Sequence, residues 1–331
     1  MNRPTSFNNI RTLIVGLGSV GIRHLENLHN LCVKKVGLYR FRNRPPHRPV
    51  SLDGIHIHSD FNDALSFRYD AVIICTPTAH HIKYALQAAN AGCHLYIEKP
   101  VSNTLENLDT LLQLSKTHEL TVAVGCQFRY HPNLMDIKTW MIENSIGGII
   151  HVCVDAGEFL PTWHPWEDYR TSYASRSDLG GGVILTLIHE LDYLYWLFGP
   201  ISPISVVGGS SERLGLDVED YATAFMATSA DIPVVMHLDY LQQPPCRKMK
   251  IIGTKGTIHW DYHQKRACEY VDGALKRSSQ LPQTWQRNDM FMASMQDFLE
   301  CVITGKTPRV PLDDGIETLK IALSIKNLML G

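Results

Sequence analysis

Short apolar runs recur along the first third of the chain, separated by polar stretches whose apolar residues stand three and four apart. The runs at 12–15, 35–39, 54–58, 70–75, 94–97 and 121–124 predict strands. Helices are predicted over 19–30, 62–67, 79–91 and 104–118. Short apolar strands alternating with amphipathic helices predict a doubly wound parallel sheet with ligands at its carboxyl edge. After residue 128 the rhythm changes. A helix is predicted over 133–143, a strand over 149–156 and one long helix over 183–198. Strands at 204–207, 221–228, 234–240, 248–252 and 257–261 then follow with no helix between them, which predicts an open, mostly antiparallel sheet. Helices over 288–304 and 314–330 close the chain.

At 331 residues the chain exceeds one core of ordinary size, so two domains are expected, 1–127 and 128–331. A formal net charge of -2 argues against general nucleic-acid binding. The eight cysteines carry no C-x-x-C pair and several sit in apolar runs, which predicts reduced, buried thiols. His56, His58, His80 and His81 form no recognised ligand spacing, so no metal is expected. No secretory pattern opens the chain and no apolar run is long enough to span a bilayer. The expectation is a cytoplasmic protein without a membrane partner.

Chemistry enters directly after the first strand. Gly16, Gly18 and Gly21 stand at G-x-G-x-x-G spacing between a strand and a helix, the context a dinucleotide fingerprint needs. Gly16 serves the tight turn, Gly18 lets a pyrophosphate approach, and Gly21 lets the helix pack on the strand. Ser19 and Val20 open that helix, whose N-terminus faces the anion. The second strand ends at Arg40 with no acid at its tip, and Arg42 and Arg44 follow. Guanidinium groups there suit a 2′-phosphate and favour NADP over NAD. A solvated basic loop beside Pro45, Pro46 and Pro49 is the other reading.

Three more segments carry reactive residue types: Cys75-Thr76-Pro77 with His80-His81, then Glu98-Lys99-Pro100, then His189-Glu190-Leu191-Asp192. Lys99, at a strand's carboxyl end beside the cofactor edge, is placed to polarise a substrate oxygen. His189 sits in an apolar run, where a satisfied core histidine and a general base of pKa about 6.5 are both open. Asp192 shares its helix face and is placed to orient the ring or bind a hydroxyl.

Together with the glycines, these segments resemble the glucose–fructose oxidoreductase/inositol dehydrogenase (Gfo/Idh/MocA) family. Gly253-Thr254-Lys255-Gly256-Thr257 and Gly305-Lys306-Thr307-Pro308 extend the resemblance over nearly the whole chain. It implies an N-terminal Rossmann domain, then a C-terminal α/β domain whose open sheet often forms the interface of a homodimer or homotetramer. It implies an NAD(P)-dependent dehydrogenase of a sugar, sugar nucleotide or polyol. Lys99 would bond the reacting hydroxyl, with Glu98 near the cofactor and a cis peptide before Pro100. Thr76, Pro77, His81 and Gln127 would lie along the cofactor, and Arg129 and Tyr130 would line the cleft. His189 would serve as general base or relay.

One position departs from the family pattern, which puts an aspartate four residues before the histidine. Here Leu185 stands there, so the carboxylate is missing or comes from Asp192. Ahead of Gly180-Gly181-Gly182, Trp166 and Tyr169 are candidates to stack on a sugar, and Arg170 to bind a carboxylate or phosphate. A packed surface loop is the alternative there. This segment resembles a branch linked to bacterial surface-sugar metabolism. Two rival functions stay open: a catalytically silent dinucleotide sensor or regulatory subunit, and a reductase of a non-sugar substrate on the same fold.

Overall fold

The computed structural model describes residues 6–40 and 46–330, so Arg42 and Arg44 lie outside the described residues. The chain divides into two compact units, one built from residues up to Gln127 with Asn288–Ile316, the other from Phe128–Arg287 with residues from Glu317 on.

In the first unit β1 (Arg11–Val15), α1 (Ser19–Asn30), β2 (Lys35–Tyr39), β3 (His56–His58), α2 (Phe61–Ser66) and β4 (Ala71–Ile74) come first. They lead into α3 (His81–Asn90), β5 (His94–Ile97), α4 (Leu108–Thr117) and β6 (Val122–Val124). The strands form a parallel sheet in the order β3-β2-β1-β4-β5-β6. Residues 12–15 of β1 and all of β4 are buried, as strands covered on both faces must be. The order reverses direction between β1 and β4, which makes their carboxyl ends the switch point where such sheets bind ligands.

The second unit opens with α5 (Pro132–Ile142) and β7 (Ile149–Gly157). Short 3-10 turns follow, and then α6 (Val183–Thr186), α7 (His189–Phe198), β8 (Ile201–Gly209), β9 (Tyr221–Thr228) and β10 (Pro233–Asp239). It continues through β11 (Cys246–Gly253), β12 (Gly256–Asp261), β13 (Arg266–Val271) and β14 (Ala274–Gln280). These strands run β14-β13-β12-β11-β7-β10-β9-β8, antiparallel except for the parallel pair β7 and β10. Burial alternates along β9 and β11, so one face packs inward and the other is open. Among the described residues no helix is long and apolar enough to cross a membrane.

Three features depart from the sequence expectations. The long helix over 183–198 is broken, because Leu187 leaves helical geometry (φ -93, ψ 32) and a new helix starts at His189. Residues 183–188 are all buried, so packing overrides their helical pattern. The hairpin of β13 and β14 was not expected; β14 is polar and mostly exposed, with no apolar alternation. Its turn, Asp272-Gly273, holds both residues at positive φ, as a two-residue hairpin loop needs. Finally, α8 (Asn288–Thr304) belongs with the first unit although the expected second domain ran to 331. Its Met295, Phe298 and Leu299 pack into the same core as Ile14, Leu25, Leu28 and Tyr96. α9 (Leu312–Leu330) follows it.

Candidate active site

In the first unit the fingerprint glycines divide the work as their chemistry asks. Gly16 holds φ +100, donates its N–H to Tyr39 O at 2.9 Å, and a Cβ there would lie 2.9 Å from Cys75 O. A Cβ on Gly21 would overlap Gly16 O, so that glycine serves the closeness of α1 to the turn. At Gly18 a Cβ would meet nothing within 4 Å. That open approach lies at the N-cap of α1, where no side chain bonds the first N–H groups. Such a cradle fits a pyrophosphate. Ser19 and Val20 form the first turn. Arg40 directly follows β2 and is half-buried.

At the end of β4, Thr76 is buried and its Oγ1 has no hydrogen-bond partner among the described residues, a polar group suited to a bound ligand. Pro77 follows it. His81, 1 % exposed, spends both ring nitrogens on protein: Nδ1 lies 2.8 Å from Pro100 O and Nε2 lies 2.8 Å from Thr76 O. His81, expected to lie along the cofactor, thus has both ring nitrogens turned to backbone carbonyls at the edge of that site.

β5 ends on Ile97, and Glu98 and Lys99 follow, with Lys99 half-buried and the Lys99–Pro100 peptide cis. Glu98 is 6 % exposed and its Oε1 lies 2.7 Å from His24 Nε2. Its Oε2 accepts from the Lys99 N–H at 3.2 Å. Burial opposes the Glu98 charge, but His24 and Lys99 outweigh it and hold the carboxyl below its ordinary range. Gly125 leaves room for this group, since a Cβ there would stand 3.0 Å from the carboxyl carbon. His24 was not singled out from the sequence, although it sits three residues after Gly21 and so shares that glycine's inward face.

In the second unit His189 is the first residue of α7 and is 4 % exposed. Its ring packs against Phe128 at 5.0 Å between centroids. Next to it, Glu190 accepts from Arg247 Nε at 2.6 Å, and that guanidinium lies 4.6 Å over the Phe128 ring. Burial loosens the Arg247 proton, but Glu190 and its neighbours hold it above the ordinary range. Beside this group opens a pocket of about 220 Å³ lined by Leu187, Arg247, Tyr262, His263, Arg287 and Glu158, among others. Arg247 takes the buried phase of the alternation in β11, a signal available in the sequence.

Gln127 is 1 % exposed and opens a 3-10 turn that runs to Tyr130. Arg129 and Asp192 are buried together, with Arg129 Nε 3.1 and 3.0 Å from the two carboxylate oxygens. Leu185 is buried at 2 % exposure, so apolar packing occupies the family aspartate's position. Trp166 is 49 % exposed beside His164. Tyr169 donates to Leu214 O at 3.1 Å, and Arg170 lies over the Tyr169 ring near Asp168.

Asp155, His237 and Asp239 bring ligand-type atoms within 4.8 Å of one another, a grouping no sequence spacing announced. His237 Nε2 bonds Asp239 at 3.0 Å, and the Gln242 amide donates to both carboxylates. These groups satisfy one another.

Residues 10–126 match the family model described as an oxidoreductase family with an NAD-binding Rossmann fold. Residues 139–327 match the model of the same family's C-terminal alpha/beta domain. The chain belongs to this oxidoreductase family, Gfo/Idh/MocA. It is 25% identical to the Bacillus subtilis oxidoreductase YrbE over 95% of this chain and 92% of that one. It is 23% identical to myo-inositol 2-dehydrogenase of Thermotoga maritima over 96% and 95%. The structure of UDP-N-acetylglucosamine 3-dehydrogenase from Acidithiobacillus ferrooxidans shares the fold, with TM-score 0.79, 21% identity and coverage of 97% and 99%.

Proposed function

We propose that this oxidoreductase transfers a hydride between a nicotinamide and a secondary alcohol, or its ketone, on a sugar, sugar nucleotide or polyol. The observation that carries the reading is the pocket walled by Arg247, Tyr262 and His263, whose Arg247 pairs with Glu190 directly after His189 at the start of α7. His189 adjoins Glu190, the partner of the pocket residue Arg247, and an imidazole is suited to hold and pass a hydroxyl proton. Relatives that act on inositol and on a sugar nucleotide support the substrate class.

When bound, the nicotinamide accepts or donates the hydride. Gly16, Gly18 and Gly21 shape the turn for its pyrophosphate, and Thr76 Oγ1 offers a hydrogen bond at the same edge. Lys99 supplies an ammonium to the reacting oxygen, which favours the alkoxide character that develops as hydride leaves. His189 takes the hydroxyl proton in oxidation and returns it in reduction. Arg129 and Asp192 hold one another at the first turn of the helix that carries His189, which leaves substrate contact to the pocket residues. Trp166, Tyr169 and Arg170 stay in the reading as residues of a loop suited to a sugar face or an anion.

The end of β2 favours NADP, because Arg40 stands where an acid would select a free ribose hydroxyl. Exposed Ile204, Val207 and Phe225 on β8 and β9 suit a homodimer or homotetramer built on the open sheet. The free thiols fit a reducing, cytoplasmic setting. The test compares Lys99→Ala and His189→Ala with the wild type for turnover and for cofactor affinity. Lost turnover with retained affinity supports the reading. Retained turnover in both variants would remove it, and a wild type that binds cofactor without turnover would favour a sensor.

A further inference from the structure

Among the buried titratable groups to which the proposed chemistry gives no task, His81 has the most telling geometry. His81 opens α3, and both of its ring nitrogens face backbone carbonyl oxygens at 2.8 Å, those of Pro100 and Thr76. A carbonyl oxygen only accepts, and a neutral imidazole carries a single N–H. In either neutral tautomer one ring lone pair would point at a carbonyl lone pair, in a site sealed from water. We propose that His81 is a buried imidazolium that donates to both carbonyls, stapling the Thr76 turn to the Lys99–Pro100 segment and acting as a positioning residue for Lys99. The positioning role rests on the function assigned to Lys99 above.

The position of the staple matters. β4 and β5 pair in parallel with Ile74 opposite Ile97, and the Glu98 N–H still donates to Ile74 O at 3.0 Å. Beyond that point the strands leave their ladder, and the chain on both sides must be held by other groups. His81 joins the two at Thr76 and Pro100. His24 grips the side chain of Glu98 on the other flank of Lys99. The chain before and after the lysine is thus anchored by buried histidines, which sets the position from which its side chain extends.

The charge on His81 has a counter-charge close by. Burial works against a charged ring, and so does neighbouring His80. The two carbonyl bonds and the Glu98 carboxylate work for it. Around Glu98 stand His24, Lys99 and Cys75. Burial, with Glu98 adding to it, pushes the Cys75 thiol well above its ordinary range, so it adds no negative charge. Burial draws the His81 pKa below the ordinary imidazole range; against it stand two carbonyl acceptors at full hydrogen-bond distance, which leave neither neutral tautomer satisfied.

The test is nitrogen–proton NMR of the full-length wild type with nitrogen-15 histidine. Both ring nitrogens of His81 are expected to carry protons from about pH 6 to about pH 8. One unprotonated ring nitrogen at about pH 7 overturns the proposal. A second arm uses His81→Phe, which fills the volume without either donor. Its kcat is expected to fall about tenfold or more with NAD(P)H affinity within about threefold of wild type. Made on top of Lys99→Ala, the same change is expected to add less than about twofold, as for residues that act as a unit. A folded His81→Phe with wild-type kcat overturns the staple. The NMR signature needs no substrate, so it reports on His81 even if no sugar alcohol is turned over and the proposed function fails.

Discussion

Arg129 and Asp192 form a buried ion pair, with Arg129 Nη2 2.7 Å from Asp192 Oδ1 and both side chains shut off from solvent. Both residues are candidates for substrate contact on sequence grounds, yet each neutralises the other inside the second unit. Removing one partner of such a pair strands a buried charge. Asp192→Ala is expected to cost about 3–5 kcal/mol in denaturant unfolding. Arg170→Ala, which removes an exposed partner of Asp168, is expected to change stability by less than about 0.5 kcal/mol. Equal effects from the two changes would contradict the burial argument.

The fingerprint glycines differ in what a methyl group would meet. Gly18→Ala points into open space. It should leave the unfolding midpoint unchanged and weaken dinucleotide binding by about tenfold, roughly 1.4 kcal/mol. Gly21→Ala drives a methyl into Gly16 O and should lower stability itself. A calorimetric titration and a melt on each variant separate the outcomes.

The proposed NADP preference rests on Arg40 at the end of β2. Replacing it by alanine is expected to weaken NADPH by about tenfold and NADH by less than about twofold. Equal loss of both would assign Arg40 to general electrostatics.

His237 offers a pH test of stability. Its bond to Asp239 raises its pKa above the ordinary 6.5 against the opposing effect of burial. A group raised on folding adds stability that is fully present below its unfolded pKa and is lost as pH rises through the folded value. His237→Gln should therefore cost more at about pH 6 than at about pH 9. A penalty that grows with pH would reverse the assignment.

Much of the first unit is legible in the sequence, because its strands are short apolar runs that parallel sheets bury on both faces. The prediction of α1 agrees with its observed bounds, Ser19–Asn30, for the same reason: glycines open it and its apolar residues keep one spacing. The second unit reads less well. The break before His189 depends on tertiary packing of residues 183–188, and no local signal marks it. β14 carries little apolar pattern, yet Asp272-Gly273 was a turn signal in plain view. The return of α8 to the first unit is a long-range event that periodicity does not encode. At the site, residue types at strand ends point to Lys99, whereas the partners of Glu98, Pro100 and Asp192 are set by chain contacts tens of residues away.

Dehydrogenation of a sugar-like secondary alcohol can be followed by nicotinamide absorbance, with the wild type, NADP or NAD, and a panel of inositols, aldoses and nucleotide sugars. Turnover of at least one such alcohol is expected, falling by about a hundredfold or more in Lys99→Ala with cofactor affinity unchanged. Turnover that survives the loss of Lys99 would contradict the assignment.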